Sequence, residues 1–262
     1  MAKTQNRKKA AYDFQTHLSQ IRLSENQKQF SDAIFKNNIT FCTGPAGTSK
    51  TFTTLYTALS LLSKGSIRKI IFTKPIQESG EKLGYLPGNV DEKIAPYLES
   101  YVLTMQKMIP EELVKTLFEF KVIEFRPLAF MRGATFDETM MILDEAQNTI
   151  ESQLILYLTR MGENSKIVVM GDTNQIDIKQ QDSAFEQFIG MIEDVKGVHH
   201  HEFGRADIVR NPMLIEITDR YDRWKSSQSL IKKNGNGNGH SNGNGHSNGH
   251  SNGLHLNGSN SK

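Results

Sequence analysis

Eight consecutive residues carry the strongest chemical signal in the chain: Gly44-Pro45-Ala46-Gly47-Thr48-Ser49-Lys50-Thr51. A β-branched, apolar run at 39–43 leads into them and a helical pattern at 51–62 follows. Strand, glycine-rich turn and helix in that order make a phosphate cradle. The glycines let backbone N–H groups turn inward around phosphate oxygens, and the helix N-terminus adds partial positive charge. Lys50 is expected to reach the β- and γ-phosphates of ATP, and the Thr51 hydroxyl to ligate Mg²⁺. The spacing nearly matches G-x-x-x-x-G-K-[ST], with Ser49 standing where that pattern has its second glycine. A Cβ there must fit beside the phosphate path and restricts φ. On these eight residues alone, a strand-to-helix turn without a ligand is the alternative.

A second cluster supplies the acidic half of such a site. The run Met140-Met141-Ile142-Leu143 is apolar throughout and delivers Asp144 and Glu145. Asp144 is expected to hold Mg²⁺, and Glu145 to orient and deprotonate an attacking water. An acidic pair after an apolar run also occurs as a plain capping turn; its pairing with the lysine loop favours the catalytic reading. A third run, 166–170, ends in Gly171-Asp172-Thr173-Asn174-Gln175. Gln175 is expected to contact the γ-phosphate or the lytic water, though polar residues after a strand are also ordinary turn chemistry.

The elements that must position these residues are legible as periodicity. Strand-like runs occur at 39–43, 69–73, 121–124, 140–143, 166–170 and 198–201, with helical patterns at 51–62, 91–105, 111–120, 151–160 and 182–192 between them. Ser24 with Gln27 three residues later has capping-box spacing and predicts a helix start. Strand alternating with helix predicts an α/β fold in one domain, a mostly parallel sheet with helices on both faces. The expected organisation is a polar lead-in at 1–23, a domain at 24–226 and a tail at 227–262. From residue 234 the chain is almost purely Asn, Gly, Ser and His and is expected to be disordered. Its His240, His246, His250 and His255 read as solvated residues rather than metal ligands.

The 262 residues are 37% hydrophobic with a net charge of +2, which makes no electrostatic case for or against a nucleic-acid partner. The single cysteine, Cys42, excludes an internal disulfide. No apolar stretch approaches the ~20 residues of a membrane helix. The basic N-terminus lacks the apolar core of a secretory signal. A cytoplasmic protein without membrane contact is expected. His199, His200 and His201 are consecutive, so a strand sends them to opposite faces and disfavours a three-histidine metal site.

Taken together, the motifs resemble the PhoH family, named for phosphate-starvation-inducible proteins. The resemblance runs from about Ser24 to Trp224. It includes FTKPIQESGEKLGYLPGNVDEKIAPYL, FRPLAFMRGATF, MILDEAQNT, LTRMGENSKIVVMGDTNQID and DIVRNPML. The chain looks like a bacteriophage-encoded member, acting in the host cytoplasm. The family is similar to the motor domains of superfamily 1 helicases, which implies a RecA-like P-loop NTPase fold and ATP hydrolysis. The resemblance also implies that Gln27 reads the adenine. It implies that Arg210, or Arg205 nearby, serves a neighbouring subunit as an arginine finger in a homo-oligomeric ring, a hexamer being one candidate size. RNA or single-stranded DNA is the implied partner.

The reading is therefore a Mg²⁺-dependent ATPase acting on RNA or single-stranded nucleic acid. The alternative is a nucleotide-sensing protein with slow or no turnover because of Ser49. A small-molecule kinase is a weaker third option, since no acceptor site or lid is visible. Lys74-Pro75 lies where helicase-like ATPases touch single-stranded backbone, or simply ends a strand. Arg126, Arg132 and Arg160 are candidates for a basic surface. Tyr85, Phe125 and Phe130 are candidates for base stacking, against core packing as the alternative.

Overall fold

Thr139–Leu143 is buried at all five positions, as a strand covered on both faces requires. Its side chains alternate. Met140 and Ile142 join one hydrophobic cluster, with Phe30, Leu59 and Phe72. Met141 joins a second cluster with Phe41, Leu154 and Phe185. The computed structural model describes residues 13–75, 90–178 and 180–209, and ten positions between 213 and 227. These residues build a six-stranded, wholly parallel sheet from β1 (Ile39–Thr43), β2 (Lys69–Thr73), β3 (Ile123–Phe125), β4 (Thr139–Leu143), β5 (Lys166–Gly171) and β6 (Val198–Glu202). The strand order is β3-β2-β4-β5-β1-β6. The helices are α1 (Gln15–Leu18), α2 (Glu25–Lys36), α3 (Lys50–Ser63), α4 (Val90–Gln106), α5 (Glu111–Glu119), α6 (Glu151–Leu158) and α7 (Phe185–Ile192). Side chains of α2, α3 and α5 enter the first cluster and those of α6 and α7 the second, so helices cover both faces. This is the expected α/β architecture, a parallel sheet with helices on both faces.

Register brings the chemistry to one edge. Thr43 pairs with Gly171 and Thr73 with Leu143, so the carboxyl ends of β1, β5, β2 and β4 lie together. Open parallel sheets bind ligands at that edge. Residues 44, 74, 144 and 172 all leave the sheet there.

Three boundaries differ from expectation by two residues or more, two through contacts within their own turn and one through partners far along the chain. β3 begins at Ile123 rather than Lys121, because Lys121 adopts φ 53° and its N–H donates to Phe118 O, closing α5. α6 ends at Leu158, where Arg160 N–H bonds to Tyr157 O in a tighter turn. α7 starts at Phe185 rather than Asp182, because the Ser183 hydroxyl donates to Gln147 O and Ala184 N–H to Thr149 O. Phe14 and Leu18, in the stretch read as a polar lead-in, are 1% and 4% exposed and belong to the first cluster. The capping box at α2 forms as expected, with Ser24 Oγ accepting from Gln27 N–H and Gln27 Oε1 from Ser24 N–H. Cys42 is fully buried within β1, and desolvation pushes its thiol above the usual range, so it behaves as a small hydrophobe.

The chain divides into two units, Met1–Arg210 and Asn211–Lys262. Within the second, the described positions between 213 and 227 are helical, with an Arg220–Glu216 ion pair at 2.6 Å.

His201 gives the first unit a pH-dependent weakness. Its ring stacks on Phe30 at 5.1 Å and meets Phe203 edge-on at 4.9 Å, and its Nε2 is buried without a partner. Burial first, then the nearby His199, push its pKa down to about 4, with Asp207 opposing. A histidine ordinarily titrates near 6.5. The unfolded chain therefore takes up a proton that the folded chain refuses as pH falls through 6.5. This contribution to stability is complete above pH 6.5 and is lost progressively towards pH 4. His201→Phe keeps the stacking and removes both the titration and the orphaned nitrogen. Thermal melts at pH 7 and pH 5 are expected to show a higher Tm for the variant at both, with the larger gain at pH 5. An equal gain at the two pH values would reject the assignment.

Candidate nucleotide-binding site

The loop between β1 and α3 has the backbone that a phosphate cradle needs. Gly44 sits at φ 149°, and a Cβ there would lie 2.6 Å from the Phe203 carbonyl oxygen, so only glycine lets the chain after β6 close against the loop. Gly47 sits at φ 88°. Lys50 Nζ donates to the carbonyls of Gly44 at 2.6 Å and Pro45 at 3.0 Å, which holds the ammonium within the loop. The fully buried Thr48 donates its hydroxyl to Pro45 O at 2.9 Å. Ala46 N–H is held by Asp172 Oδ2 at 3.0 Å.

Ser49 is in the left-handed region, φ 67° and ψ 27°. The loop thus keeps the conformation a glycine would give it, at a cost of roughly 1–2 kcal/mol for a residue with a Cβ. Glycine has the freer unfolded chain, which offsets about 0.4–1 kcal/mol. Ser49→Gly is therefore expected to raise stability in urea by about 0–1.6 kcal/mol and to bind ATP at least as tightly. Weaker ATP binding by the variant in calorimetry would show instead that the serine hydroxyl takes part in the site.

Opposite the loop, Thr51 Oγ1 donates to Asp144 Oδ2 at 3.3 Å. Asp144 also accepts from the Tyr101 hydroxyl at 3.0 Å and from Glu145 N–H at 3.0 Å. Desolvation, then the adjacent Glu145 charge, raise the Asp144 carboxyl above its ordinary range. A half-buried carboxylate beside a hydroxyl is a hard oxygen donor pair of the kind Mg²⁺ prefers, so the residues present fit that ion. Tyr101, stacked on Phe72 at 4.6 Å, fixes the carboxylate from α4. Burial, then the Asp144 charge, keep the Tyr101 phenol protonated far above its usual range, so it acts as a donor.

Glu145 lies at φ 57°. Its Oε2 accepts from Gln147 Nε2 at 2.7 Å, and its Oε1 lies 3.5 Å from Lys74 Nζ. Lys50, Thr51, Asp144, Glu145 and Gln175 wall one cleft of about 470 Å³, within the ~300–1,000 Å³ typical of small-ligand sites. Ala46, Gly47 and Ser49 also line it. Gln27 is not among the described residues that wall the cleft; its Oε1 is engaged in the α2 cap. Arg205 is exposed on a turn tied to α2 through Asn26 Nδ2 and Asp207 Oδ2, 2.8 Å apart. Arg210 lies outside the described residues, as does Tyr85; Val209, just before Arg210, donates its N–H to Gly47 O.

Residues at the site that were not expected from the sequence include Phe52, Val209, Tyr101, Thr104 and Lys107, the last three on α4 or just after it, and Gln147 as a side chain with its own role. The α4 residues face the cleft only through packing beside α3 on one face of the sheet, which no local pattern encodes. Gln147 closes the DEAQ run, and that adjacency was its only sequence signal.

Residues 21–222 match the family described as PhoH-like protein. The chain belongs to the PhoH family. It is 42% identical over 209 residues to a PhoH-like protein of Mycobacterium tuberculosis, covering 79% of this chain and 59% of that one. It is 39% identical over 198 residues to a PhoH-like protein of Bacillus subtilis, covering 75% and 62%. The chain thus spans about three-fifths of the length of these relatives. Among solved structures it is similar to the large terminase of a thermophilic bacteriophage in complex with ADP, with a TM-score of 0.47 and 13% identity, covering 77% of this chain and 50% of that one. No helix among the described residues is long and apolar enough to cross a membrane.

Proposed function

We propose that this PhoH family member is a Mg²⁺-dependent ATP hydrolase that acts on RNA or single-stranded DNA as a homo-oligomeric ring in the cytoplasm. One observation carries the reading: Thr51 Oγ1 and Asp144 Oδ2 meet at 3.3 Å, with the Lys50 ammonium and the Glu145 carboxylate on the same cleft. Bound between Thr51 and Asp144, Mg²⁺ would neutralise charge developing on the β- and γ-phosphate oxygens. Lys50 exchanges its two carbonyl partners for phosphate oxygens. Glu145 takes the proton of the water that attacks the γ-phosphorus, as the bond from that phosphorus to the bridging oxygen breaks and ADP leaves. Gln175 orients that water or the γ-phosphate from the β5 turn. Gln27 reads the adenine, and Arg210 or Arg205 comes from a neighbouring subunit.

The test is phosphate release from ATP with and without Mg²⁺, RNA and single-stranded DNA. Mg²⁺-dependent release stimulated by one of the polymers is the expected result; no release above background in any combination rejects hydrolysis. The left-handed Ser49 favours a second reading, a nucleotide sensor that binds ATP and turns it over slowly or not at all. It predicts tight binding in calorimetry without phosphate release.

A further inference from the structure

We infer that Gln147 is the positioning residue for Glu145, holding the catalytic carboxylate to the turn after β5. This rests on the hydrolase reading of the site. Gln147 lies in the turn Ala146–Asn148 directly after Glu145 and is 1% exposed. Its amide uses both donors and its acceptor. Nε2 donates to Glu145 Oε2 at 2.7 Å and to Gln175 O at 3.1 Å, while Oε1 accepts from Asp172 N–H at 3.0 Å. Turning the amide over would set donor against donor at Asp172 and acceptor against acceptor at Glu145 and Gln175. The orientation is therefore fixed by its partners.

The fold makes room for this side chain. A Cβ at Gly171 would lie 2.9 Å from Gln147 Oε1 and 2.6 Å from the Phe185 ring, so a glycine at the end of β5 admits the amide. The Ser183 hydroxyl donates to the Gln147 backbone carbonyl at 2.8 Å, fixing the turn from the other side. The far end of the contact is not inert. Asp172 grips the phosphate loop through Ala46 N–H, and Gln175 O belongs to the turn that lines the cleft. A continuous path of hydrogen bonds thus runs from the loop backbone through Asp172 and Gln147 to Glu145. A shift of the 172–175 turn towards a bound nucleotide carries the carboxylate with it. Gln147 does not touch the reacting atoms and is not itself among the described residues that wall the main cleft; it acts through Glu145.

The test compares Gln147→Met, Glu145→Gln and the double variant in single-turnover phosphate release, with ATP affinity from calorimetry. Methionine fills the volume and removes every side-chain hydrogen bond, leaving the Ser183 bond to the backbone carbonyl. A misplacement of about 1 Å costs about 10²-fold in rate. Gln147→Met is thus expected to lose roughly that in turnover while ATP affinity stays within about threefold of the parent. In the Glu145→Gln background the same substitution is expected to cost less than about twofold, because residues acting as one unit are non-additive. Gln147→Glu, which sets a carboxylate against Glu145, serves in the same comparison if the methionine variant fails to fold. Parental turnover in Gln147→Met, losses that multiply in the double variant, or a parallel loss of ATP affinity overturns the assignment. A parent protein that binds ATP but releases no phosphate overturns the hydrolase reading itself, and this inference with it.

Discussion

Glu145→Gln is expected to bind MgATP with near-parental affinity and to lose roughly 10²–10⁴-fold in turnover, the usual worth of a positioned general base. The amide matches the carboxylate in shape and can still accept from Gln147 Nε2 through its oxygen. It cannot take a proton from water. Its NH₂ group would then face Lys74, whose ammonium lies 3.5 Å from Glu145 Oε1, so the loose ion pair is lost as well. That pair is partly exposed and contributes little to stability, which keeps the variant folded. Asp172 is the only other carboxylate on the cleft besides Asp144 among the described residues. Both its oxygens are engaged, Oδ2 by Ala46 N–H and Oδ1 by Asn174 N–H, so it is poorly placed to take over. Calorimetric titration with ATP and Mg²⁺ reads the affinity, and phosphate release reads the chemistry. Turnover at the parental rate would remove Glu145 from the mechanism.

Lys50→Ala is expected to bind ATP about 10- to 150-fold more weakly, since a hydrogen bond to a charged group is worth about 1.5–3 kcal/mol. The Lys50 ammonium already lies where the loop carbonyls of Gly44 and Pro45 converge, 2.6 and 3.0 Å away. A phosphate entering the loop replaces these neutral acceptors with charged ones. Lys107 is the other lysine on this cleft among the described residues, and it projects from beyond α4 rather than from the loop. It does not substitute for a cation embedded in the cradle. The alanine variant also leaves the Gly44 and Pro45 carbonyls without their donor, so a thermal melt must accompany the titration. A folded variant with unchanged ATP affinity would show that the loop does not bind the polyphosphate.

How much of this was readable beforehand depends on the range of the interaction. The elements around the loop were legible because each is specified locally. β1, β2, β4 and β5 are short apolar runs, and the Ser24–Gln27 cap is a contact between neighbours in sequence. One boundary slipped by three residues because partners far along the chain intervened. α7 begins late because Ser183 and Ala184 are captured by Gln147 and Thr149. Phe14 and Leu18 sit in a polar stretch, and their burial depends on the surface of α3 they cover, with Phe14 N–H bonded to Ser63 Oγ.

The same division holds at the site. By itself the sequence determined the α/β class and that the glycine-rich loop and the acidic pair each follow a strand, because strand periodicity and turn chemistry are carried by adjacent residues. Tertiary structure alone decided which groups meet. Thr51 and Asp144 face each other because parallel register aligns the carboxyl ends of strands separated by long crossovers. Tyr101 reaches Asp144 from a helix 43 residues earlier. The left-handed Ser49 is held by the contacts around it against its own preference. Gln147 became a clamp only when β5 came to lie beside β4, with a glycine at position 171 leaving the space its amide fills.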